Sequence, residues 1–198
     1  MLSHSPLLQL VPARAISFRN RLAGMIWSES RALGVRWTGS ASRHIGWSEA
    51  RKKPLRAADR PFFWGHDFDQ AWFRIALPRE CRGGDWFLEW KEQGESTAYV
   101  NGIPYAGLDI AHKTCRIPSK ADCIWMEVMC METGIWEGTP RPAITEKGCR
   151  FEGAAARRRD ELAWQVYHDF DVLLQLLEDE HGANPALRTP FGCAVGYS

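Results

Sequence analysis

Two short stretches place a histidine beside acids, the pairing from which metal sites and acid–base catalysts are most often built: Gly65-His66-Asp67-Phe68-Asp69 and His168-Asp169-Phe170-Asp171. The first sits in a loop ahead of a strand pattern. There Asp67 and Asp69 are candidate oxygen ligands for calcium, and equally the kind of residue that caps a turn with no ion present. The second falls inside a helical pattern, with its acids on the polar side of the Phe170 stripe, so the repeated tetrapeptide has no shared geometry. Neither copy has the H-x-D or H-E-x-x-H spacing that brings two ligands to one ion, so no metal is expected beyond that weak calcium reading. A third pairing is Asp109 with His112 in Gly107-Leu108-Asp109-Ile110-Ala111-His112. On a helical turn both would face one way and could hydrogen-bond ligand hydroxyls. Alternatively, Asp109 caps a turn and His112 is solvated.

Catalytic machinery is not legible. Glycoside hydrolysis by paired carboxylates needs two acids about 5–9.5 Å apart in a cleft, a distance that no spacing along the chain establishes. The sequence has no G-x-S-x-G elbow, no Cys–His neighbourhood and no glycine-rich phosphate loop. Ten tryptophans stand out. Indole faces stack on pyranose rings, but Trp72, Trp86, Trp90 and Trp125 lie in strand patterns, where large side chains usually form core. The six cysteines, Cys81, Cys115, Cys123, Cys130, Cys149 and Cys193, include no C-x-x-C pair and read as reduced thiols, several of them buried. A cytoplasmic location follows from them. The arginines at 14, 19, 21, 31, 36 and 43, with Glu29 as the one acid in that stretch, pull instead toward a mitochondrial presequence.

The 198 residues suffice for one large domain or a domain with an appendage. A formal charge of +1 and a pI near 7.7 leave no basic field for nucleic acid or an anionic membrane. No apolar run reaches the roughly 20 residues of a spanning helix. Neither nucleic acid nor membrane is expected as a partner.

Positioning elements follow from the patterns. Residues 7–33 carry apolar positions at three- and four-residue steps, which predicts one or two short amphipathic helices. Residues 34–60, rich in Gly, Ser, Arg and Lys, read as an extended, partly irregular wrap anchored by Trp37 and Trp47. Alternation over 72–78, 86–90 and 123–129 predicts strands. Asn101-Gly102 between Ala98-Tyr99-Val100 and Ile103-Pro104-Tyr105 predicts a hairpin with a type I′ turn. From 157 to 180 the period becomes helical, along Leu162, Val166, Phe170, Leu173 and Leu177. That assignment puts Arg157-Arg158-Arg159 at the positive end of the helix dipole and Glu178-Asp179-Glu180 at the negative end, both unfavourable. The expected fold is mainly β: a jelly-roll or galactose-binding-like β-sandwich, flanked by an N-terminal helical lead-in and a C-terminal helix. Its expected divisions are a lead-in at 1–59, the sandwich at 60–150 and a helical linker at 151–198.

In order, Phe63-Trp64-Gly65, Trp72-Phe73-Arg74-Ile75, Leu88-Glu89-Trp90, Gly94-Glu95, Tyr99-Val100-Asn101-Gly102-Ile103-Pro104 and Gly107-Leu108-Asp109 with His112 resemble the N-terminal β-sandwich of glycoside hydrolase family 38 α-mannosidases of the vacuolar/cytosolic type. The resemblance spans about residues 60–135. It implies a non-catalytic domain whose partners are the catalytic domain of the same enzyme or sister subunits, with a glycan as a further candidate. Ala194-Val195-Gly196-Tyr197-Ser198 resembles the start of the strand that leads to the family's His-x-Asp metal motif. The zinc, the nucleophile and the acid/base of that family belong to the portion beyond, so no catalytic residue and no cofactor carries over to this chain. Asp109, His112, Asn101 and Glu95 are the carbohydrate or domain-contact candidates. A free-standing carbohydrate-binding jelly-roll module is the alternative, and a pure assembly domain without ligand a third.

Overall fold

The computed structural model describes residues 6–131 and 147–183, with side chains over 13–131 and 147–176. The chain is a mainly β protein with two antiparallel sheets and a helix toward each end of the chain. By internal contacts it divides into a β unit, Glu29–Arg158, and a helical unit made of the segments before and after it.

In the β unit, one sheet runs β3 (Arg56–Ala57), β2 (Val35–Ala41), β5 (Gln70–Ala76), β10 (Cys123–Met129), β7 (Glu95–Val100) and β8 (Ile103–Leu108). The other runs β1 (Trp27–Ala32), β11 (Cys149–Arg159), β6 (Trp86–Glu92) and β9 (Thr114–Arg116), with β4 (Phe62–Trp64) also paired to β11. Alternation explains the layering, because successive side chains of a strand point to opposite faces. Ala71, Phe73 and Ile75 of β5, Ile124, Met126 and Val128 of β10, Leu88 and Trp90 of β6 and Phe151 and Ala156 of β11 all enter one buried cluster. Phe73 sits at its centre, stacked on Phe151 at 5.1 Å and edge-on to Trp90 at 5.3 Å. Two fully buried indoles have partners for their N–H groups: Trp90 donates to Ser96 Oγ at 3.0 Å and Trp72 to the Ile45 carbonyl at 2.7 Å. Trp72 and Trp125 point the other way, into a second cluster with Ile45 and Ala50. The segment that carries the one-turn helix α2 (Trp47–Ala50) supplies those two residues.

The Asn101-Gly102 hairpin is present between β7 and β8, and both residues have positive φ, 53° and 81°. That is the requirement of a type I′ turn. Gly102 also lies flat against Trp47, whose ring carbons would come within 2.8 Å of an added Cβ.

In the helical unit, α1 (Pro6–Met25) packs on α3 (Glu161–Ala183). Phe18 meets Phe170 at 5.0 Å and Arg19 pairs with Asp171 at 3.0 Å.

Three expectations are corrected. The lead-in is one helix followed by strand β1, because Trp27–Ala32 pairs with β11 instead of continuing the helical pattern. The wrap contributes β2, α2 and β3, so the sandwich extends well before residue 60. Arg157, Arg158 and Arg159 end strand β11, with Arg157 and Arg158 opposite Phe87 and Trp86 of β6, and do not begin a helix. Asp160 Oδ1 caps α3 by accepting the Ala163 amide at 2.9 Å, and Glu161 follows in the first turn, so the start of the helix carries the sign its dipole favours. The strand expected at 194–198 lies outside the described residues.

Candidate functional site

A connected polar network runs from the six-stranded sheet to the segment before α2. Register sets it: Glu127 of β10 stands between Trp72 of β5 and Thr97 of β7, one row from Trp125 between Arg74 and Tyr99. Glu127 Oε2 accepts the Tyr99 hydroxyl at 2.6 Å, and Oε1 accepts the Gln70 amide and lies 3.2 Å from His44 Nε2. Gln70 in turn accepts the Ile45 amide at 2.5 Å. The bond to Glu127, with burial second, pushes the Tyr99 phenol up to about 12. Tyr99 thus stands as a protonated donor to Glu127.

Next to this network lies a cavity of about 560 Å³, lined by Glu95, Thr97, Gly107, Asp109, Glu127 and Met129 among others. Two of the four sequence candidates, Glu95 and Asp109, therefore meet at one place. Asn101 does not line it and serves the hairpin turn. His112 does not line it either, but holds Asp109: Asp109 Oδ1 accepts the amides of Ala111 at 2.8 Å and His112 at 2.6 Å, with His112 Nδ1 3.1 Å away. Partial burial pushes the Asp109 carboxyl up, yet these bonds outweigh it and hold the group below its ordinary range. The pair closes its own loop.

Asp69 Oδ2 likewise accepts the His66 amide at 3.0 Å, the turn-capping role. Among the described residues no group of three or more His, Cys, Asp or Glu is placed to hold a metal ion. No described helix is long and apolar enough to cross a membrane.

A buried carboxylate escaped the sequence reading. Glu92, 3% exposed, accepts Trp64 Nε1 at 3.0 Å and the Gly94 amide at 2.5 Å. Burial pushes it up to about 7 in spite of those donors. Glu127 carried a legible signal, since it is the charged outward position within an otherwise apolar strand. Glu92 carried none, because its burial depends on β4, β6 and the following turn meeting in space.

The tryptophans are largely committed to packing: Trp64, Trp72, Trp86, Trp90 and Trp125 are all buried. Among the described residues, α3 carries four of the ten exposed large apolar side chains. Ala163 and Leu174 are buried, whereas Leu162, Val172, Leu173 and Leu176 are 55–71% exposed. Of the stripe read from the sequence, Leu162 and Leu173 are exposed and Val166 and Phe170 half-buried; Val172 and Leu176, which that stripe did not include, join the exposed residues.

No protein-family model matches the chain, and a search of curated proteins returns no match.

Proposed function

We propose that this chain is a non-catalytic β-sandwich domain of an α-mannosidase acting in mannoside degradation, and that it serves assembly with the catalytic domain or with sister subunits. The order of motifs over residues 60–135 supports the family. One observation supports assembly above the alternatives: the second apolar face of α3, four large side chains each more than half exposed on a helix whose other face is already covered. Such a face is stabilised by burial against another protein surface. The direct test is sedimentation of the chain with a separately expressed catalytic portion of an α-mannosidase of this family. Co-sedimentation is expected, and independent sedimentation of the two would refute the reading.

One observation favours the carbohydrate-binding alternative. The cavity beside Glu95, Thr97, Asp109 and Glu127 offers carboxylate and hydroxyl oxygens of the kind that receive sugar hydroxyls. Titration of mannose oligosaccharides into the chain distinguishes it: saturable binding lost in Asp109→Ala would favour the module, and no binding the assembly domain.

A further inference from the structure

Cys130 and Cys149 lie at the junction of the two sheets. Cys130 directly follows β10 of the six-stranded sheet, and Cys149 opens β11 of the other. They are 0% and 1% exposed, and the thiol of Cys149 is hydrogen-bonded to the sulfur of Cys130. Trp64 fixes both: Cys130 Sγ lies 3.6 Å from its carbonyl oxygen, and Cys149 stands opposite it in the β4–β11 register. The backbone crossing is tight. A Cβ on Gly148 (φ +89°) would come 2.1 Å from the carbonyl oxygens of Trp64 and Gly65, and one on Gly65 3.1 Å from Cys130 Cβ.

We propose that Cys130 and Cys149 are an oxidisable pair that forms a disulfide stapling the two sheets together when the protein meets a peroxide. Cys130 attacks one peroxide oxygen, an S–O bond forms as the O–O bond breaks, and the leaving hydroxide takes the thiol proton as water. Cys149 then attacks the sulfenic sulfur; the S–S bond forms, the S–O bond breaks, and the hydroxide leaves as water with the Cys149 proton. Two thiols lose two electrons and one peroxide becomes two waters. The division of roles agrees with the local electrostatics. Hydrogen bonding from Cys149 holds the Cys130 thiol below its ordinary range against the opposing effects of burial, Asp69 and Asp67, whereas that bond, burial and Glu92 push Cys149 up. Cys115, by contrast, is pushed up to about 12 by burial alone.

The test treats the reduced, full chain with hydrogen peroxide, blocks free thiols with an alkylating agent after denaturation, and maps peptides by mass. One intramolecular cross-link between the Cys130 and Cys149 peptides, absent without peroxide and reversed by dithiothreitol, is expected while Cys81, Cys115 and Cys123 are alkylated. In Cys149→Ala the sulfenic acid on Cys130 is left unresolved and is trapped by dimedone, which does not label the wild-type chain. Should Cys149→Ala fail to fold, the wild-type map decides alone. Free Cys130 and Cys149 after oxidation of other cysteines, or cross-links to any other partner, would overturn the proposal.

Discussion

Glu92 shows how a single buried carboxyl sets a pH response. Unfolded, it titrates near its ordinary 4.5, and in the fold near 7, so between those values the native state retains a proton that the unfolded chain has lost. The stability attached to it is present below pH 4.5 and lost as the pH rises through 7, by up to about 3 kcal/mol. Glu92→Gln removes the titration. Thermal melting between about pH 5 and pH 8 should fall less steeply for Glu92→Gln than for the parent chain. Parallel profiles would mean that another group carries the response. Asp109 shows the contrary case of an acid consumed by its own loop. Asp109→Ala leaves the amides of Ala111 and His112 without that acceptor and should cost about 1 kcal/mol in a denaturant titration, an exposed site being partly rescued by water.

Among the elements, the β7–β8 hairpin and the start of α3 depend on single residues. Gly102 combines φ +81° with contact against Trp47, so Gly102→Val meets both backbone strain and a steric clash. A loss of about 1–3 kcal/mol is expected from the strain alone, read as a lowered melting temperature, and an unchanged one would contradict the turn. Asp160→Ala removes the cap of α3 and should cost about 1 kcal/mol, with a loss of helical circular dichroism and the sheet signal preserved. These elements differ in how far the sequence revealed them. Strands β5, β6 and β10 were legible because each is a short, mostly apolar run rich in aromatic and branched side chains and buried on both faces, and the Asn-Gly turn because few dipeptides accept two positive φ values. Strands β1 to β3 were not, since Gly, Ser and Arg there blur the alternation and the strands owe their existence to the neighbours they pair with. Ala154-Ala155-Ala156-Arg157-Arg158-Arg159 is a good helix sequence that pairing with β6 holds as strand. In the candidate site, the capping role of Asp109 and Asp69 was within reach of local reasoning. The meeting of Glu95 with Asp109 follows from the β7–β8 hairpin, but that of the two with Glu127, and of Glu92 with the Cys130–Cys149 pair, was not legible, since strands far apart in sequence bring those residues together.

The molecule commits Trp64, Trp72, Trp86, Trp90 and Trp125 to buried packing and carries almost no net charge, so neither long-range attraction nor a platform of these indoles accounts for what it would hold. The outer stripe of α3 and the acid-lined cavity are both open among the described residues, and the two readings of function divide between them. Leu173→Asp with Leu176→Asp alters the stripe alone, as both positions are more than half exposed and core packing is untouched. Sedimentation of that double variant, the parent chain and Asp109→Ala, each mixed with a separately expressed catalytic portion of an α-mannosidase, tests assembly through α3 directly. The assembly reading predicts a complex with the parent chain and with Asp109→Ala that is lost in the leucine variant; a complex that survives both leucine changes, or none with the parent chain, would contradict it.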